Sequence, residues 1–209
     1  ACVAFIGDAS QKQKAPPELT RLATSLLVRL DIKGSQRRPR MELYKAQNDS
    51  LRYCDEGLTW LSEPLEMSER MSAPVKEIAT FCQTAAQSAS DDWATATVEK
   101  LHASVDLLAS EKDPLLFVAT HLLSGKKIRQ RLAEKAAIDP ARYGKTLLPT
   151  LIAEKYVADK DAGSAKQLFA VYGSDKRSGV WTEIRNQELA KLVEAKRYSE
   201  AYAMVETEP

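Results

Sequence analysis

The chain has 209 residues, a length that fits one extended domain or two small ones. Its hydrophobic share of 44% is enough for a core. Its formal charge of only +1 argues against a dedicated nucleic-acid-binding protein, which usually has a clear basic excess. No apolar run approaches the length of about 18 residues that a membrane-spanning helix requires.

The N-terminal region is predicted to contain an extended segment, residues 1–16, followed by an amphipathic helix. Pro16 and Pro17 suit a first helical turn, and leucines recur at steps of three and four residues within residues 18–30. A basic linker, residues 31–40, is expected to end this helix and to separate it from the rest of the chain.

From residue 41 onwards the sequence predicts nine further helices joined by short turns. Apolar residues recur at helical spacing in each of them, and Ser, Asp and Pro stand where helices begin. Pro149 is expected to kink the seventh helix or to mark a junction within it. The predicted bounds are 41–62, a third helix opening at residues 72–74, a fourth capped by Asp91, then 113–125, 128–136, 139–158, 163–172, 180–195 and 198–206.

These elements predict an all-α fold, because no alternation typical of a strand occurs after Ile6. About ten helices with short turns are typical of an array of antiparallel helical hairpins, an α-solenoid. The array is expected to form one domain, residues 17–209. The sequence leaves open whether residues 17–70 form a separate N-terminal helical pair.

A step of 36 residues connects apolar positions along the chain, and helical repeats have periods of about 33 to 47 residues. Other columns at this step are poor, since Arg129 falls in line with Ala165 and Ala201. An irregular helical bundle whose hairpins have similar lengths is therefore the alternative to a repeat array. The apolar columns are Phe81, Phe117, Ala153 and Leu189, and Ala96, Leu132, Leu168 and Met204.

The clearest hairpin lies near the C-terminus. Ala165 follows Tyr156 by nine residues, Phe169 follows Ala165 by four, and Gly173 closes the second helix. This spacing resembles the hairpin of the pentatricopeptide (PPR) family, in which a small residue lets the second helix approach the first. The next hairpin resembles tetratricopeptide (TPR) and PPR units equally, so the resemblance spans residues 144–206.

The resemblance implies a function in assembly. Short PPR-like proteins are typically organellar, which points to mitochondria, and they occur as accessory subunits of ribosomes, RNA-processing complexes and the head of some ATP synthases. We therefore expect a non-catalytic accessory or scaffold subunit that binds other protein subunits of a larger complex through its helical-repeat surfaces.

Three basic clusters fall at or near predicted turns. Because the turns of a hairpin array often share one edge, these clusters are candidates for a stripe that contacts RNA or an acidic protein. An RNA-binding module is therefore the alternative function, and a solvated charged surface is the simpler interpretation. The candidate residues are Arg37, Arg38, Arg40, Lys126, Lys127, Arg129, Arg131, Lys176 and Arg177.

The three cysteines are Cys2, Cys54 and Cys82. They are far apart, odd in number and form no Cys-x-x-Cys pair, which a disulfide framework or a zinc site usually provides. They are predicted to be buried or incidental thiols in a reducing compartment.

Nothing in the sequence predicts an enzyme. The two histidines, His102 and His121, are expected to be surface or capped-core residues. No nucleophile elbow, Walker loop, GxGxxG or HExxH motif is present. We therefore expect no catalytic residue, no cofactor and no metal site.

Overall fold

The computed structural model of the chain describes residues 18–19, 22, 25–26, 37–64, 70–172 and 179–207. The prediction of an all-α fold is confirmed, because these residues form helices and turns and include no strand. The elements are α1 Arg37–Ala46, α2 Ser50–Ser62, α3 Val75–Gln87, α4 Asp91–Ala103, a 3-10 helix Val105–Ala109, α5 Pro114–Leu122, α6 Lys126–Ile138, α7 Pro140–Tyr143, α8 Leu148–Ala158, α9 Ala162–Tyr172, α10 Gly179–Glu194 and α11 Tyr198–Thr207.

Part of the predicted N-terminal region lies outside the described residues. The extended segment, residues 1–16, is among the parts not covered, and so are residues 173–178 with Lys176 and Arg177. Within the predicted first helix, the five described residues are helical.

The predicted second helix, residues 41–62, is two helices in the structure. The chain turns at Asn48, where φ is +53°, and Asp49 begins α2 by accepting a hydrogen bond from the amide of Arg52. The predicted basic linker was also wrong at its end, because α1 begins at Arg37. Pro39 is tolerated there, since first-turn amides have no helical partner to lose.

The predicted helix over residues 139–158 is likewise divided. Asp139 caps the short α7, and Pro149 lies in the first turn of α8, so Pro149 marks a junction rather than a kink. Asp113 caps α5 as predicted. The cap of α4 is Ser90, which accepts a hydrogen bond from the amide of Trp93, and Asp91 is the first helical residue.

Five pairs of helices are joined by three-residue turns. These turns are residues 47–49, 88–90, 123–125, 159–161 and 195–197. The helices after the last four turns begin at Asp91, Lys126, Ala162 and Tyr198, at steps of 35, 36 and 36 residues. Two of these three steps equal the 36-residue step of the apolar columns in the sequence, and the third is one residue shorter.

Three of these turns have the same backbone geometry. Asn48, Lys160 and Lys196 are the non-glycine residues with positive φ in the described part of the chain, at +53°, +63° and +58°. In each turn the amide of the next residue donates to the carbonyl five residues earlier, at 2.9 Å. This is the Schellman arrangement, which closes a helix with one left-handed residue.

Helices pack against neighbours two or three positions away in the chain. In one row α3 packs against α5, α5 against α8, and α8 against α10; in the other α4 packs against α6, and α6 against α9. Between the rows, α10 also lies against α9. One continuous buried cluster extends from Met41 to Ile184. This packing is consistent with an array of helical hairpins.

Glycine allows a close contact between α2 and α3. A β-carbon added to Gly57 on α2 would lie 2.6 Å from Cγ2 of the fully buried Ile78 on α3, so only glycine permits this approach. Beside it, Cys54 of α2 and Cys82 of α3 form a disulfide, with Cα atoms 4.8 Å apart. The prediction of unpaired thiols in a reducing compartment was therefore wrong for these two cysteines.

The disulfide predicts the thiol content of the purified protein. When the chain is unfolded and alkylated without reduction, it should take up one carbamidomethyl group, on Cys2. After reduction it should take up three, and intact mass measures both numbers. Cys54→Ala with Cys82→Ala should lower the free energy of unfolding by about 3–4 kcal/mol, given a sequence separation of 28 residues. Three groups on the unreduced chain would contradict the disulfide.

The left-handed turns predict a stabilising substitution. Lys160→Gly should raise the free energy of unfolding by about 0.5–1 kcal/mol, because glycine adopts positive φ without steric cost. The matched control is Lys155→Gly inside α8, which should lower it by about 1 kcal/mol. Urea denaturation measures both, and a loss of stability in Lys160→Gly would contradict the assigned turn.

Candidate partner-binding surfaces

Two residues of the first predicted basic cluster, Arg37 and Arg40, form ion pairs with carboxylates of the same chain. Nε of Arg37 lies 3.1 Å from Oε1 of Glu56, and its Nη1 donates to Glu63 at 2.8 Å. Nε of Arg40 donates to the same Glu56 at 3.2 Å. The hydrogen bond between Arg37 and Glu63 raises the pKa of the guanidinium and lowers that of the carboxyl. These ion pairs hold α1 against α2.

The second basic cluster also pairs with carboxylates. Nζ of Lys127 lies 2.9 Å from Oδ1 of Asp91, and Nη1 of Arg131 donates to the Asp91 carbonyl at 2.8 Å. The hydrogen bond from Lys127 lowers the pKa of the Asp91 carboxyl. These contacts connect α6 with the start of α4.

Arg129 lies between these residues in the sequence, but its side chain points into the protein. It is 3% exposed, pairs with Asp159, and donates to the Leu123 carbonyl at 3.0 Å. Its guanidinium lies over the ring of Tyr156, 5.0 Å from the centroid. Arg129 therefore connects α6 to the turn that follows α8.

The seven predicted basic residues that the structure describes do not form a free positive stripe. Among the seven that it describes, five make ion pairs within the chain. Arg38 and Lys126 are exposed and form no ion pair with any described residue. Most of these cations therefore hold helices together, and few are left for a phosphate backbone.

A polar cluster between α2 and α4 was not predicted from the sequence. Nε1 of Trp93 donates to Oδ1 of Asp55 at 3.1 Å, and Nζ of Lys100 donates to Thr59 Oγ1 at 2.8 Å. Burial raises the pKa of the Asp55 carboxyl and lowers that of the Lys100 ammonium. The cluster is satisfied within the chain, so its geometry supports packing rather than chemistry.

The two histidines are held by their neighbours. Arg142 donates to Nε2 of His102 at 3.2 Å, so Nδ1 of this ring carries the proton and donates to the Tyr143 hydroxyl at 2.9 Å. Burial raises the pKa of Tyr143 to about 12. Nδ1 of His121 donates to the Phe117 carbonyl at 2.9 Å. Neither histidine has a carboxylate hydrogen-bonded to it among these contacts.

Within the residues that the structure describes, no group of three His, Cys, Asp or Glu side chains is placed to hold a metal ion. In the same part of the chain, no helix combines the length and the apolar character needed to cross a membrane.

The described surface includes two clefts between helices. One, of about 620 Å³, lies between α6, α8 and α9 and is lined by side chains of both charges. The other, of about 330 Å³, lies between α5 and α8. Leu116, Leu147 and Leu151 line it together with Phe117, and Glu111 and Glu154 border it. We call this second one the acidic cleft.

The last hairpin, α10 and α11, leaves much of its apolar surface uncovered. Tyr198, Tyr202 and Val205 are 62%, 66% and 50% exposed. Their spacing places them on one face of α11, and we call them the C-terminal stripe. By contrast, α5 buries six of its nine residues.

Comparison of the chain with protein-family models, with curated proteins and with solved structures gives no match. What defines the protein is thus its own architecture: an all-α chain with successive helical hairpins, internally paired cations and an uncovered apolar face on its last helix.

The ion pairs of Glu56 predict a structural rather than an RNA-contacting role for Arg37 and Arg40. Glu56→Gln should lower the free energy of unfolding by about 3 kcal/mol, because it leaves two largely buried guanidinium groups short of a carboxylate. The exposed Glu154→Gln should stay within about 0.5 kcal/mol of the unmodified chain. Equal urea midpoints for all three proteins would contradict the role given to Glu56.

Proposed function

We propose that the protein is a non-catalytic accessory subunit of a multi-subunit complex, which binds partner proteins through its helical surfaces. The observation that carries the proposal is the C-terminal stripe. Exposed tyrosines next to an aliphatic residue are typical of protein interfaces, where aromatic side chains contribute much of the binding energy.

The way in which α10 packs on the preceding hairpin supports a proposal for what covers the C-terminal stripe. α10 lies against both helices of the preceding hairpin, α8 and α9, and the ring of Trp181 on α10 lies 6.4 Å from that of Phe169 on α9. Phe169 is 6% exposed as a result, whereas Val205, which follows it by 36 residues, is 50% exposed. A helix that packed on α10 and α11 as α10 packs on α8 and α9 would cover Val205.

The occupant of the stripe is therefore proposed to be an amphipathic helix of a partner protein, which continues the row of packed helices. Tetratricopeptide-like and pentatricopeptide-like arrays stack hairpins in this way, each contacting its neighbours. A hairpin whose outer side faces water usually presents polar residues there, whereas α11 presents Tyr198, Tyr202 and Val205.

The charges favour a protein over RNA as the partner. Five of the seven described candidate cations are neutralised by carboxylates of the same chain, and phosphate binding depends on cations that can replace counterions. An RNA-binding module is the alternative, with Arg38 and Lys126 as its exposed cations.

A mitochondrial location is part of the proposal and rests on the PPR-like spacing alone. Ribosomes, RNA-processing complexes and the head of an ATP synthase are the settings it suggests. The Cys54–Cys82 disulfide adds the requirement that the compartment allow a disulfide to persist.

The test is purification of the tagged protein from isolated mitochondria and, in parallel, from the remaining cell extract, with and without nuclease. We expect a fixed stoichiometric set of proteins that survives nuclease, quantified by mass spectrometry. Tyr198→Glu with Tyr202→Glu should reduce the recovery of the directly bound subunit at least tenfold, because two charges would enter an apolar interface.

The matched control is Arg38→Glu with Lys126→Glu, two exposed cations away from the stripe. This variant should recover the same set of proteins as the unmodified chain. If nuclease releases every companion and the cation variant loses them, the RNA-binding alternative replaces the proposal. Unchanged thermal unfolding of both variants, followed by circular dichroism, excludes loss of the fold.

A further inference from the structure

The acidic cleft has features of a second binding site. Phe117 is 42% exposed on α5, a helix that otherwise buries most of its side chains. Leu116 lies beside it at 4% exposure, and Leu147 and Leu151 complete an apolar wall. A volume of about 330 Å³ is at the lower end of the range of about 300–1,000 Å³ for ligand pockets, so the cleft suits a few side chains.

The charges at the border of the cleft have one sign. Glu111 and Glu154 are exposed and form no ion pair with any described residue. Among the described residues that line the cleft, none is Lys or Arg. Many other carboxylates of the chain pair with a cation, as Glu56 and Asp91 do.

We infer that the acidic cleft binds a partner-protein segment in which an apolar side chain lies between lysine or arginine residues. The apolar side chain packs against Phe117 and Leu151, and the flanking cations lie near Glu111 and Glu154. Opposite charges around an apolar centre give such a contact its orientation and specificity. Two carboxylates repel phosphate groups, so the cleft does not suit RNA.

This inference rests on the proposed function but concerns another surface. The C-terminal stripe binds a helix that extends the array, whereas the acidic cleft recognises the charge and shape of a short segment. Failure of one does not imply failure of the other, because the stripe is tested by co-purification and the cleft by direct binding to the purified chain.

The experiment selects binders to the purified full chain from a displayed library of random twelve-residue peptides. We expect enrichment of sequences with Leu, Met or Phe between Lys or Arg residues. Labelled copies of the enriched peptides then give dissociation constants by fluorescence anisotropy. Phe117→Ala should weaken binding at least about tenfold, while Val171→Ala, a control with the same 42% exposure on α9, should leave it unchanged.

The charge requirement has its own variant. Glu111→Lys with Glu154→Lys should abolish binding of the basic peptides, and a repeated selection on this variant should enrich acidic flanks instead. Equal binding to Phe117→Ala and the unmodified chain would overturn the inference, as would enrichment without basic residues. A dimer of the chain, seen by sedimentation and lost in Phe117→Ala, would assign the cleft to a second copy and overturn the partner assignment.

Discussion

The packing of α2 against α3 is the contact on which the described fold depends. Gly57 lets the two helices approach until Ile78 fills the space that a side chain on α2 would occupy, and the Cys54–Cys82 disulfide fixes that approach covalently. α3 in turn packs against α5, and α5 against α8, so the position of one helix pair is transmitted along the row. A substitution at Gly57 would therefore alter more than one interface.

Most of the ion pairs described above connect one helix to another helix or to the turn that follows it. Glu56 holds two arginines of α1, Asp91 receives cations from α6, and Arg129 reaches across to Asp159. Such pairs fix the orientation of helices whose apolar contacts alone would allow sliding. In this near-neutral chain, these charges therefore stabilise the internal geometry, whereas the C-terminal stripe is apolar and the acidic cleft is bordered by carboxylates.

The sequence predicted the helical class and many of the helices, because apolar spacing and Asp caps such as Asp113 are local signals.

The predictions from the sequence failed where contacts between residues distant in the chain determine the structure. Nothing local in Cys54 and Cys82, 28 residues apart, indicates that α2 and α3 bring them together. Residues 37–40 were predicted to be linker, and Glu56, the carboxylate with which Arg37 and Arg40 pair, is too distant in the chain for a local pattern to indicate it. Asn48 and Lys160 occupy turn positions where glycine is the usual signal, which hid the hairpin at residues 47–49. The acidic cleft combines Glu111 and Glu154 from separate elements, so no motif marks it.

The exposed face of α11 also has a consequence for the abundance of the protein in a cell. Tyr198, Tyr202 and Val205 are as exposed to another copy of the chain as to the proposed partner. Chains made in excess of the proposed partner would be expected to self-associate or to be degraded through this face. If the proposed partner subunit covers this face, the abundance of the protein is expected to follow that of the partner.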